Sequence, residues 1–214
     1  ADMAKVFSSY SIHLNWYEHS VYRQNENLTP LKKFINKRIT RAFSEKGLDI
    51  QNNDPWSSLI DENAEYRETA FKYIIDHTFQ CPRDLILFFQ ESSKYQFKLP
   101  LKLKEVNILI GEYSKKVKAE FDNALSIYFS PEEIENIFLC LKELSKLNNI
   151  AFQDFENYFS KRDFKFKTEK IVEILFDYSL IGNIQANHVN FKHRNESFIC
   201  SVDFSKSFML HNII

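Results

Sequence analysis

At 214 residues, with 44% hydrophobic side chains and 21 phenylalanines, the chain can bury one large core or two modest ones. Its formal net charge of -1 excludes a global attraction to nucleic acid or anionic membrane, so any such contact has to come from a local patch. Three widely separated cysteines, Cys81, Cys140 and Cys200, exclude a disulfide framework and fit a reducing cytoplasm.

The purely apolar runs are far shorter than a membrane span, and the opening Ala1-Asp2-Met3-Ala4-Lys5 has no basic region leading into an apolar block. No membrane partner and no secretory leader are therefore expected. The opening reads either as a start at Met3 or as a fragment boundary at Ala1.

Residues 1–27 are aromatic and polar without clean periodicity. Thr29-Pro30 then predicts a helix start, with Thr29 as cap and Pro30 at the first helical position. Leu31, Phe34, Ile35, Ile39, Ala42 and Phe43 form one apolar stripe, which Gly47 ends in a left-handed conformation. Asn52-Asn53-Asp54-Pro55 reads as a turn, with Trp56 and Leu59 packing back. Helices are predicted over about 64–78, 83–91 and from Leu103 onward, the last because Leu109, Tyr113, Val117, Phe121 and Leu125 recur at four-residue steps.

Ser130-Pro131-Glu132-Glu133 marks the clearest boundary: Ser130 caps, Pro131 opens the helix and Glu133 completes a capping box. Ile134, Ile137, Phe138, Leu141, Leu144 and Leu147 make its inner face. A short helix with Phe152, Phe155, Tyr158 and Phe159 follows, then a third over about 168–178. After Gly182 the period shortens toward two. Val189, Phe191 and His193 face one way, Asn190 and Lys192 the other. Asn195-Glu196-Ser197 is the natural turn and Phe198-Ile199-Cys200 the returning strand. The expected fold is mainly α: a helical bundle over 1–129, then a winged helix-turn-helix domain over 130–214 ending in a β-hairpin.

The stretch Cys81-Pro82-Arg83-Asp84-Leu85-Ile86 sets an arginine at a helix mouth, where a guanidinium fork and free amides both favour phosphate. The plain alternative is an ion pair with Asp84, Asp76 or a glutamate on the bundle surface. Gly47, Gly111 and Gly182 are too far apart to build a phosphate-cradling loop, so a nucleotide site would need residues from elsewhere. No nucleophile elbow, kinase signature or close Cys/His spacing occurs, and the paired carboxylates near Glu132 lie in a helix first turn, where they suit the dipole. No catalytic and no metal-binding residues are expected, and the chain is not expected to be an enzyme by itself.

These elements and motifs resemble the C-terminal half of prokaryotic P-loop ATPases of the AAA+ and STAND type, in which a helical lid precedes a winged helix, the layout of the Orc-like proteins. The shared segments are Cys81 to Ile86 with Phe88 and Phe89 after it, Tyr113-Ser114 in the long helix, and Ile181-Gly182-Asn183-Ile184 before the wing. Cys81 stands where the family pattern carries its first arginine. The resemblance implies that Arg83 senses nucleotide, with ATP and magnesium bound by a nucleotide-binding domain outside these residues and no cofactor held within the chain. It also implies a role as the regulatory, partner-binding portion of such an ATPase.

Duplex DNA is the alternative partner. Lys161, Arg162, Lys165, Lys167 and Lys170 precede and enter the third helix, which sits in the major groove in DNA-binding winged helices, while Lys192 and Arg194 lie near the wing. Asp163, Glu169 and Glu173 interrupt the run, and a charge run is commonly a solvated face. A stand-alone DNA-binding regulator and a pure protein scaffold are therefore the alternative functions.

Overall fold

A computed structural model describes residues 16, 26–62, 66, 68–147, 149–185, 188–194 and 200–214. Helix α1 (Pro30–Glu45) starts at the expected proline and buries Leu31, Ile35, Ile39 and Phe43. Thr29 occupies the cap position, but its buried hydroxyl takes no N–H from the helix, so that first turn lacks the predicted side-chain cap. The far end is well closed. Gly47 at φ 64° lets its own N–H reach Ser44 O at 3.2 Å and the Leu48 N–H reach Phe43 O at 2.9 Å.

Asp54 caps α2 (Pro55–Leu59), accepting from the Trp56 N–H at 3.1 Å, and Trp56 lies edge-on to Phe71 at 5.3 Å in the core. Helix α3 (Ala70–Asp76) is capped by Thr69, which accepts from the Lys72 N–H at 3.2 Å. It is shorter than the predicted 64–78, because Thr69 is extended at the cap and the chain turns at His77; residues 63–65 and 67 lie outside the described residues. Helix α4 (Pro82–Gln90) and the 23-residue α5 (Leu103–Leu125), roughly 35 Å long, complete the bundle. Ile60 and Leu101 join the connections by a parallel bridge.

In the C-terminal part, α6 (Pro131–Leu144) opens with the predicted box. Ser130 Oγ accepts from the Glu133 N–H at 3.2 Å, and Glu133 Oε2 accepts from the Ser130 N–H at 2.8 Å. The other carboxylate oxygen of Glu133 takes the Lys165 N–H at 2.7 Å, tying the later connection to this helix start. Helices α7 (Phe152–Phe159) and α8 (Thr168–Asp177) follow, then a three-stranded antiparallel sheet of order β2-β1-β3. Its strands are β1 (Ile181–Gln185), β2 (His188–Asn190) and β3 (Phe208–Leu210). Ile150, between α6 and α7, pairs with Phe208 through bonds of 2.7 and 3.2 Å, extending the sheet beyond β3.

The predicted hairpin is displaced. The alternation stops at Asn190, because Lys192–Arg194 turn as a short 3-10 helix and Cys200 is not in a strand. The partner of β1 on its other edge is β3, much later in the chain. The predicted turn at 195–197, and Phe198 and Ile199, lie outside the described residues. Gly182 makes the close packing on β1 possible: a Cβ there would sit 2.8 Å from Phe191 Cδ1 and 2.9 Å from Asn190 O. Asn183 bonds both ways with the Asp203 backbone, at 2.9 and 2.8 Å, anchoring the segment that leads to β3.

Among the described residues the buried apolar side chains form two clusters, one from Leu31 to Val117 and one from Leu125 to Leu210, with Phe121 packed against both. Leu125 and Phe129, assigned to the first unit from the sequence, pack with the second cluster. Ile213 returns to the first. Beside it Phe79, from the α3–α4 connection, stacks on His211 at 4.5 Å and meets His193 edge-on at 5.3 Å.

Candidate functional site

Arg83 is the second residue of α4, after extended Cys81 and Pro82. Its side chain is 62% exposed and its Nη2 donates to Glu120 Oε1 of α5 at 2.5 Å, with Asp84 Oδ1 3.9 Å from Nη1. Glu120 holds the guanidinium charged, raising its pKa above the ordinary value. The surface glutamate of the plain alternative is thus present, and it is half exposed.

Behind Arg83 lies a buried acid cluster. The Cys81 thiol donates to Asp84 Oδ2 at 3.1 Å, and Tyr113, fully buried in α5, faces the same carboxylate. Burial pushes the Asp84 carboxyl up, and burial with the Asp84 charge lifts the Cys81 thiol to about 11. A thiol held protonated at neutral pH is a poor nucleophile, and its hydrogen bond to Asp84 ties Cys81 to the first turn of α4. Among the described residues, no group of three or more His, Cys, Asp or Glu side chains could hold a metal ion.

The basic residues of the C-terminal part divide. Lys161, Lys165 and Lys167 are exposed on the α7–α8 connection. Arg162 instead turns inward, donating to Cys140 Sγ at 2.9 Å and Tyr158 O at 3.2 Å. Lys170 pairs with Glu173 at 3.0 Å. Lys192 pairs with Asp177, the last residue of α8, and Arg194 lies over the Phe191 ring at 4.8 Å. The two basic groups expected to grip one duplex therefore sit at opposite ends of a helix roughly 15 Å long. Between them, the side of α8 left out of the core presents Glu169, Glu173 and Asp177 against Lys170 alone.

The structure also reveals a basic face that is not a compact run in the sequence. Helix α1 carries Lys33, Lys37, Arg38 and Arg41 exposed to solvent. Arg41 pairs with Glu45 at 2.7 Å; among the described residues the other three have no carboxylate within ion-pair distance. Arg38 lies over the Phe34 ring at 5.3 Å and borders a crevice of about 350 Å³ between α1 and α4. The sequence signal was available: from 30 to 46 the cations are Lys32, Lys33, Lys37, Arg38, Arg41 and Lys46, and the acid is Glu45. Helical spacing gathers what sequence proximity does not.

Residues 29–121 match a family model described as the FunZ-associated C-terminal helical domain, a likeness that covers α1 to most of α5 and less than half of the chain. No curated protein and no solved structure matches. Among the described residues no helix is long and apolar enough to cross a membrane.

Proposed function

We propose that the chain is a non-catalytic accessory module of a larger P-loop ATPase, reporting nucleotide state through Arg83 and docking a partner protein through its C-terminal part. The observation that carries the reading is the state of Arg83. Its guanidinium stands exposed at a helix entrance, held by a surface pair worth about 0–1 kcal/mol, which an incoming phosphate can replace with a stronger bidentate contact. The likeness of residues 29–121 to a helical domain described as C-terminal and associated supports an accessory place for the bundle.

The C-terminal part is read as a winged helix. In support, the order runs helix α6, bridge residue Ile150, helices α7 and α8, then β1 and β3, with β3 lying between β1 and Ile150. The excess of acid on α8 favours a protein partner over a phosphate-lined groove, since three carboxylates would face the phosphates. A second reading, duplex DNA binding by this part, draws on the exposure of Lys161, Lys165 and Lys167.

The test is steady-state ATP hydrolysis by the P-loop region that would accompany this module, with and without the chain. Arg83→Ala should remove the chain's effect on turnover by about tenfold or more, the worth of one charge-assisted phosphate contact. Glu120→Gln should keep or strengthen that effect. Turnover indifferent to Arg83→Ala would sink the sensor role.

A further inference from the structure

The cations of α1 form a row rather than a scatter. Lys33, Lys37 and Arg41 follow at four-residue intervals, so each lies one turn beyond the last, about 6 Å along the axis. Arg38 flanks them on the side of Phe34. The opposite face of the helix is fixed in the core through Leu31, Ile35, Ile39 and Phe43, so the row is carried by a rigid element. Three of its four cations are left without a carboxylate among the described residues, in a chain whose acids outnumber its bases, 29 to 28.

The chemistry of the row selects its partner. Insertion into a lipid surface requires apolar side chains beside the cations, and a protein hot spot requires an apolar or aromatic anchor. The residues interleaved with these cations are Asn36, Thr40, Ala42 and Ser44, which offer one methyl group and no large apolar anchor, the apolar crevice between α1 and α4 lying on the Arg38 side of the row. The Phe34 ring lies beneath Arg38, so it is no open platform for stacking a base. A row of bare positive charge at regular spacing answers one ligand best, a regular row of negative charge. We propose that the exposed face of α1 binds the phosphate backbone of a nucleic-acid duplex, through Lys33, Lys37, Arg38 and Arg41, independently of base sequence. This surface is separate from the α7–α8 connection and does not rest on the reading of Arg83.

The experiment is fluorescence anisotropy of a labelled DNA duplex titrated with the full chain at 50 and 200 mM salt. Three to four phosphate contacts give a log–log salt slope of about -3, so affinity should fall roughly 40- to 150-fold between the two conditions. Lys33→Gln/Lys37→Gln should lower the magnitude of that slope by about 2, whereas Lys165→Gln/Lys167→Gln should leave it unchanged. All four residues are exposed, and an unchanged melting temperature for each variant confirms that folding is not the cause. Absence of binding at 50 mM salt overturns the proposal, as does binding that the α1 variant does not weaken. A loss confined to the Lys165/Lys167 variant overturns it too, moving the contact to the winged-helix reading. Equal affinity for polyglutamate or for phosphatidylserine vesicles would make the row a general anion surface and would likewise reject a nucleic-acid site.

Discussion

Acidification should loosen the junction between the two cores, and the effect is large enough to measure. His193 and His211 meet there at 5.6 Å between ring centroids, packed among Phe79 and Phe191. Both ring nitrogens of His193 and Nε2 of His211 are buried without a hydrogen-bond partner among the described residues, while His211 Nδ1 accepts from the Ile213 N–H at 3.3 Å. The charges that bear on them are cationic: Arg194 on both, His77 on His211, and each imidazole near the other. Burial first, and those charges second, depress His211 from 6.5 to about 3 and hold His193 well below its ordinary value.

The unfolded chain binds these protons more readily than the folded one, so stability is full above about pH 6.5 and declines as pH falls toward the folded value. Between pH 7 and pH 5 the His211 imidazole contributes a loss of about 2 kcal/mol, and His193, depressed in the same direction, adds a loss of the same sign. That is a substantial share of a typical folding free energy of about 5–15 kcal/mol. Urea denaturation followed by tryptophan fluorescence at the two pH values measures it. His211→Phe keeps a ring against Phe79 and removes one titration, so its loss over the same interval should be smaller by about 2 kcal/mol. If the variant loses as much stability as the parent chain, the buried imidazoles are not the acid-sensitive groups.

Two further changes test how the fold is held. Gly182→Ala would put a methyl group 2.8 Å from Phe191 Cδ1 and 2.9 Å from a backbone oxygen, so β1 and β2 must separate; urea melts should register a loss of about 1–3 kcal/mol, and a neutral result would refute the close approach. Ser130→Ala removes one half of the α6 box and should lower stability by about 1 kcal/mol, or the melting temperature by about 2–4 °C, in a calorimetric scan.

Local chemistry is what the sequence by itself determined. Pro30, Pro82 and Pro131 mark helix starts because proline suits the first turn wherever it occurs, and the Ser130–Glu133 box forms because its partners are three residues apart. Most of the inner faces of α1, α5, α6 and α8 follow from helical periodicity for the same reason, but Ala42 of the α1 stripe is exposed, and Leu147 lies past the end of α6 and is exposed as well. Tertiary structure decided whatever depends on distant partners. It chose β3, more than twenty residues further along the chain, as the second partner of β1, since strand pairing is a contact between segments that local pattern cannot rank. It gave Arg83 to Glu120, Arg162 to Cys140 and Lys192 to Asp177, removing some of the charges that looked available. It also left Lys33, Lys37 and Arg38 open on one face of α1. A charge in sequence is only a candidate, because whether it meets solvent or a counter-ion is settled by the chain segments that fold against it.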